Sequence, residues 1–187
     1  ETYKRSSMIR RDYQEADPLN RRIWRQGRLR LIAEFVRDNA LSVSGLLSRR
    51  VGGGSVRPYQ PEGYWAHLNF PKRKYRPDKG ESLYRRSLYT FWRRSLGPPN
   101  MFDEANRQIC SVRMRRTNTP LHALTLLNDI TFVEAARVFA ERMLESHDTP
   151  EDRLATAFRM TTSRQPTEAE LAVLLRALQR SLAYYQE

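Results

Sequence analysis

After Thr117 the chain spells the start of a helix four times. Thr119 is followed by Pro120, Thr131 by Glu134 three residues on, Thr149 by Pro150, and Thr167 by Glu170 three residues on. A threonine hydroxyl can accept a hydrogen bond from an unpaired N–H of the first helical turn, proline is tolerated at the first helical position, and a glutamate three residues later returns a bond to the cap N–H. The stretches behind these starts carry apolar residues at helical spacing: Val133, Ala136, Ala140, Met143 and Leu144 in the second, and LAVLLRAL in the fourth. The spacing predicts helix over most of 120–145 and 150–185.

Upstream, Leu29, Ile32, Ala33, Val36, Ala40, Val43 and Leu47 recur at helical spacing with Glu34, Arg37 and Asp38 between them, which predicts a helix over 29–47 with one apolar core face and a loosened last turn at Gly45. From Ser48 to about Gly80 the glycines and prolines of VGGGSVRPYQPEGYW forbid regular structure over any length, so this segment is expected to be irregular yet packed. ESLYRRSLYTFWRRS then predicts a helix over 82–95, with Leu83, Tyr84, Leu88, Phe91 and Trp92 on one stripe and Gly97-Pro98-Pro99 as its stop. The expected fold is mainly α, a single helical domain over 1–187 with a long irregular Gly/Pro-rich insertion.

Composition bounds the function. The chain has 33 Lys+Arg against 21 Asp+Glu, a net charge of +12, and its cations are mostly arginine. The planar guanidinium grips carboxylate, phosphate or sulfate with two prongs, so the excess favours anionic partners wherever it is not paired with the chain's own acids. No apolar run approaches the length of a membrane span. ETYKRSSMIRRDY lacks the apolar centre of a signal peptide and reads as a start in mid-protein, so the chain is expected to be a fragment of something larger. One cysteine excludes an internal disulfide framework, and Cys110 is expected to be a small buried hydrophobe.

The motifs exclude more than they assign. VGGGSV lacks the Gly-Lys-Ser/Thr of a phosphate loop, and Pro58 biases Arg57 away from the helix that such a loop must open; a backbone nest for another anion, beside Arg57, is the reading that remains next to a plain structural turn. No G-x-G-x-x-G follows a strand. Covalent haem needs Cys-x-x-Cys-His, which one cysteine cannot supply, and His67, His122 and His147 are scattered without metal-site spacing, so neither metal nor cofactor is expected in this chain. A Cys110–His122 nucleophilic pair would need its thiolate stabilised by Arg113, Arg115 and Arg116. Nucleic-acid binding is motivated only by charge and lacks every named motif.

The remaining signal is arginine interleaved with aromatics. On a helix Arg86 and Arg93 would share a face, with Arg85, Tyr89 and Arg93 along the neighbouring edge. Arg113, Arg115 and Arg116 stand just before the helix start at Thr119, where the dipole's positive end makes cations unfavourable unless something negative is near. Asp103 and Glu104 can supply that charge, and so can a bound sulfate, uronate or phosphate. The candidate ligand-binding residues are therefore Arg57, Arg85, Arg86, Arg93, Arg113, Arg115, Arg116, Tyr89 and Trp92, with Tyr59, Tyr64 and Trp65 as further stacking faces.

GLLSRRVGGGSVRPYQPEGYW, LYRRSLYTFWRRS, Phe102-Asp103, and the stretch from Cys110 through Arg116 into TNTPLHALTLLND follow one another in an order that resembles the planctomycete-specific domain family, a domain of unknown function. ETYKRSS is similar to that family's first segment, DPLNRRIWRQGRLRLIAEFVRD to its following helix, and RQPTEAEL to its closing helix, so the resemblance covers almost the whole chain. His122 departs from it, since the family usually has glutamine there. The resemblance implies that the chain is a C-terminal fragment of a larger protein in an exported or periplasmic setting, with an upstream part that can carry a cytochrome c domain and any haem there. It carries no catalytic residues. Two functions stay open: a non-catalytic helical module binding an anionic polysaccharide or a partner protein, and the catalytic part of a polysaccharide-degrading enzyme or oxidoreductase. In the second, acid and base would come from Glu62, Asp78, Asp103 and Glu104.

Overall fold

The structure, a computed structural model, describes residues 4–28, 30–66, 74–93, 96–103, 110, 112 and 116–186. Among them are six α-helices and no β-strand, so the fold is mainly α. The chain divides into two compact units, Glu1–Leu31 and Ile32–Glu187.

The first unit contains the short helix α1 (Arg11–Ala16) and a turn held by side chains. The Asp17 carboxylate accepts from the Arg21 and Arg22 amides at 3.0 and 2.8 Å, and these bonds lower its pKa. Trp24 donates its indole N–H to the Asp17 carbonyl at 3.0 Å and stacks on Tyr13. Residues 17–28, which the resemblance places in the following helix, are instead turns and bends around these contacts.

The second unit is built on α2 (Ala33–Ser44), α3 (Pro120–Asn128), α4 (Ile130–Ser146), α5 (Pro150–Thr162) and α6 (Glu168–Gln186). Helix α4 packs against α2, α3 and α5, and α6 packs on α5. Its buried apolar centre comes from Ala33 and Leu41 of α2, Phe132, Ala135 and Met143 of α4, and Val56, Leu83 and Met101 of the irregular segments. Each of the larger side chains contributes about 1.5–3 kcal/mol by leaving water.

Helix α2 is shorter than its apolar pattern predicts, and its buried face is a different one. Ala33, Arg37, Leu41 and Ser44 are buried, one turn apart, while Phe35 is exposed. Gly45 ends the helix with φ 90°, a left-handed conformation that glycine adopts without strain. Arg142 of α4 donates to the Val43 carbonyl at 2.9 Å, satisfying one of the last carbonyls of α2.

The helix predicted over 82–95 is absent from the described residues. That segment forms two 3-10 turns, Gly80–Tyr84 and Ser87–Tyr89, with Arg85 and Thr90 in extended conformation. The physical reason is where its backbone groups go. The Leu83 and Arg85 carbonyls are taken by the Arg37 guanidinium at 2.8 and 2.9 Å, and the Ser87 amide by the Asp38 carboxylate at 2.8 Å. Ser48 donates to the Tyr84 carbonyl, and Val56 exchanges bonds with the Tyr89 carbonyl and the Phe91 amide. A helix would have to break all of these bonds. The predicted stripe is split as well, with Leu83 buried and Leu88 exposed.

The helix starts after Thr117 are mostly where the sequence puts them. Thr149 accepts from the Asp152 amide at 3.2 Å, and Thr167 and Glu170 form a reciprocal box. The start of α4 is the correction. Its cap is Asp129, whose carboxylate accepts from the Thr131 amide at 2.9 Å, and Thr131 itself lies buried inside the first turn. The apolar stripe assigned to α4 is displaced too: Val133 and Leu144 are exposed, and Thr131, Phe132, Ala135 and Met143 are the buried face.

Candidate functional site

The irregular segment 48–66 and the segment 74–93 run past each other, and their aromatic residues meet. Trp65 lies 5.3 Å from Tyr75 and 6.2 Å from Phe91, ring centre to ring centre. The Trp65 indole N–H donates to the Gln60 side-chain oxygen at 2.8 Å, the Tyr75 hydroxyl to the Pro58 carbonyl at 2.6 Å, and the Tyr64 hydroxyl to the Gly97 carbonyl at 3.0 Å. These bonds fix three rings around a cleft of about 620 Å³ lined by Gln60, Glu62, Tyr64, Trp65, Lys74 and Tyr75, among others. Burial raises the hydroxyl pKa of Tyr64 and Tyr75, Asp78 adding to the effect at Tyr75, so both rings stay neutral hydrogen-bonding walls. Cations sit on two of these rings: the Arg93 guanidinium is 5.5 Å from the Trp65 ring centre and that of Arg57 is 5.5 Å from Phe91.

Beside the cleft stands the triglycine turn. Gly52 and Gly53 have φ of 82° and 86°, and the turn folds over the side chain of Arg85. The Arg85 guanidinium donates to the carbonyls of Arg50, Gly52 and Gly54 and lies 3.8 Å from the Tyr89 ring centre. The Tyr89 hydroxyl accepts from the Gly52 amide at 2.8 Å, and that bond, followed by the Arg86 side chain, lowers the Tyr89 pKa. A cavity of about 430 Å³ opens at this turn, lined by Arg50, Gly53, Gly54, Ser55, Asp78, Lys79, Ser82 and Arg85 among others.

The candidate residues thus fall into different places. Arg57 and Arg93 stack on Phe91 and Trp65. Arg85 is the plug of the glycine turn, with Tyr89 against it and the Arg86 guanidinium 5.6 Å from the same ring. Half-buried Trp92 presses on Gly97, where an added Cβ would come within 2.2 Å of the indole, so that glycine is required by close approach. Tyr59 is half-buried beside Tyr84, whose pKa is pushed up to about 12 by burial and by its hydrogen bond to Glu134. Arg116 is exposed; Arg113, Arg115, Glu104 and His67 lie outside the described residues.

Near Thr119 the Asp103 carboxylate meets Thr117 and His122. It accepts from the Thr117 amide and hydroxyl, both at 2.6 Å, and lies 3.8 Å from His122 Nε2. His122 fills the glutamate's place in the capping box of α3, its Nδ1 facing the Thr119 amide at 3.5 Å, and its ring stacks on Phe102. Cys110, expected to be buried, is exposed, and so is Val112.

Residues the sequence did not single out complete both cavities. Gln60, Lys74 and Tyr75 line the cleft, and Arg50, Lys79, Ser55 and Ser82 line the glycine cavity. Spacing carries no signal for them, because they converge through irregular chain. Among the described residues each cavity has one carboxylate in its lining, Glu62 and Asp78 respectively. Among the described residues no group of three His, Cys, Asp or Glu could hold a metal ion, and no helix is long and apolar enough to cross a membrane.

A family model described as PSD1, protein of unknown function (DUF1553), matches residues 1–178, and the chain belongs to that family. No curated protein matches the chain. No solved structure matches it either.

Proposed function

We propose that this PSD1-family chain is a binding module for an anionic polysaccharide, seating one sugar unit in the cleft between Tyr64, Trp65 and Tyr75. The observation that carries this reading is the combination, in one cavity, of fixed aromatic walls with Gln60, Glu62 and Lys74. The apolar faces of a sugar ring pack on aromatic rings, its hydroxyls meet the amide and carboxylate, and an acidic substituent meets the exposed Lys74. Arg57 and Arg93, stacked on Phe91 and Trp65, add positive potential near the cleft, which steers a polyanion toward it at low salt.

The test is calorimetric titration with an oligouronate and with a neutral oligosaccharide of equal length. The oligouronate is expected to bind more tightly, with Lys74→Gln removing that preference and Trp65→Ala weakening both ligands. Absence of binding to either one sinks the reading. A catalytic part remains the second reading, carried by Glu62 as the carboxylate in the cleft lining. Glycan cleavage abolished by Glu62→Gln, with binding retained, would replace the module by an enzyme. The exported setting implied by the family resemblance belongs to the same proposal, and an intact reading frame without an export signal would remove it.

A further inference from the structure

Among the described residues the second unit buries two arginines, and they differ in how their charge is met. Arg37 has Asp38 at 3.6 Å and Asp129 within electrostatic reach. Arg85 is 6% exposed, and among the described residues no carboxylate lies within ion-pair distance of it; its guanidinium meets three carbonyl oxygens and the face of Tyr89. Carbonyl dipoles solvate a cation but do not neutralise it, and a buried charge without a counter-charge is costly. The same Arg85 lines the 430 Å³ cavity at the glycine turn.

The rest of that lining suits one kind of guest. Arg50 and Lys79 are exposed cations, and Ser55 and Ser82 bring hydroxyl donors. Because the carbonyls of Arg50, Gly52 and Gly54 turn inward to Arg85, this turn exposes the backbone of Gly53, Gly54 and Ser55, whose amides donate to no acceptor among the described residues. No atom lies within 4 Å of where a Cβ on Gly54 would stand, so the approach is open. One acid opposes the three cations, Asp78, and its carboxylate already accepts from the Arg57 amide at 2.8 Å.

We infer that this cavity is a binding site for a tetrahedral oxyanion, a phosphate or sulfate group, held by Arg50, Lys79, Ser55, Ser82 and the Gly53–Ser55 amides, with Arg85 as the buried charge it neutralises. Multiple donors in a concave turn next to fixed cations are what such an anion needs, and glycines let the backbone come close to it. This inference does not depend on sugar binding in the cleft.

Titration of the full chain with sodium sulfate and sodium phosphate, chloride balancing ionic strength, tests it. Saturable binding is expected, and the exposed pair Arg50→Gln with Lys79→Gln is expected to weaken it at least fivefold while the fold persists. Arg85 is left intact, since its removal unplugs the turn. The 6-phosphate and 6-sulfate of one sugar then identify the source, the tighter ester naming it. No saturable binding in the wild type, an effect reproduced by chloride alone, or less than fivefold weakening in the double variant would overturn the site. Loss of anion binding in Trp65→Ala would place the anion in the aromatic cleft and overturn it as well.

Discussion

Arg37, wholly buried in the middle of α2, donates to the Leu83 carbonyl at 2.8 Å, 46 residues away in the chain. A second nitrogen donates to the Arg85 carbonyl and the Ser87 hydroxyl, and neighbouring Asp38 accepts from the Ser87 amide and hydroxyl. Two adjacent residues of one helix thus dictate the path of the segment that carries Arg85 and Tyr89. Arg37→Ala leaves several buried acceptors unpaired and is expected to lower stability by about 3–5 kcal/mol, the range for breaking a buried ionic contact. Arg37→Lys should recover only part, because a single ammonium lacks the fork that spans two carbonyls. Chemical denaturation of both variants checks the order; equal stability of Arg37→Lys and wild type would contradict it.

The glycine turn makes a sharper prediction because its three glycines differ. Gly52 and Gly53 have positive φ, and Gly54 does not. Alanine at either of the first two is expected to cost about 1–2 kcal/mol from backbone strain. Gly54→Ala meets open space and is expected to stay within about 0.5 kcal/mol of wild type. Melting temperatures of the three variants test this, and equal losses at all three would refute the strain argument.

The helices after Thr117 were legible because caps and apolar spacing are local, and α5 and α6 obey them. The segment 82–95 was not legible, for its pattern is helical and its outcome is decided by Arg37, Asp38 and Val56 far away in sequence. Arg37 itself looked like a solvent-side residue, since nothing local says that a charge will be matched to carbonyls across the fold. The aromatic content of the cleft was visible in Tyr64 and Trp65, whereas Lys74 and Tyr75 join them only through the folding of irregular chain.

The start of α4 separates two residues that sequence spacing confuses. Asp129 is the cap, and Asp129→Ala is expected to cost about 0.5–2 kcal/mol. Thr131 is buried at 2% exposure, and its hydroxyl has no hydrogen-bond partner among the described residues. Thr131→Val replaces that hydroxyl by a methyl of similar shape, so it is expected to be neutral or stabilising. If Thr131 were the cap, the two effects would be reversed in denaturant titrations of the same variants.

The box at the start of α6 carries the pH dependence. Glu170 accepts from both nitrogens of Arg164 and from the Thr167 amide, and the Arg164 bonds, followed by Thr167, lower its pKa to about 2. A carboxyl that titrates lower when folded than when unfolded, where it lies near about 4.3, stabilises fully above the unfolded value. Its contribution is therefore expected to be complete above about pH 4.3 and to fade as pH falls toward about 2. The group faces solvent, so the loss should appear as local fraying of the first turn of α6 and not as global unfolding. Amide exchange at Thr167 and Leu171 reports it directly, with protection falling across that window in wild type. In Glu170→Gln protection should be lower at neutral pH and flat with acid. A Glu170 carboxyl that titrates near 4.3 in the folded chain, seen by its side-chain chemical shift, would mean that Arg164 does not hold it in solution.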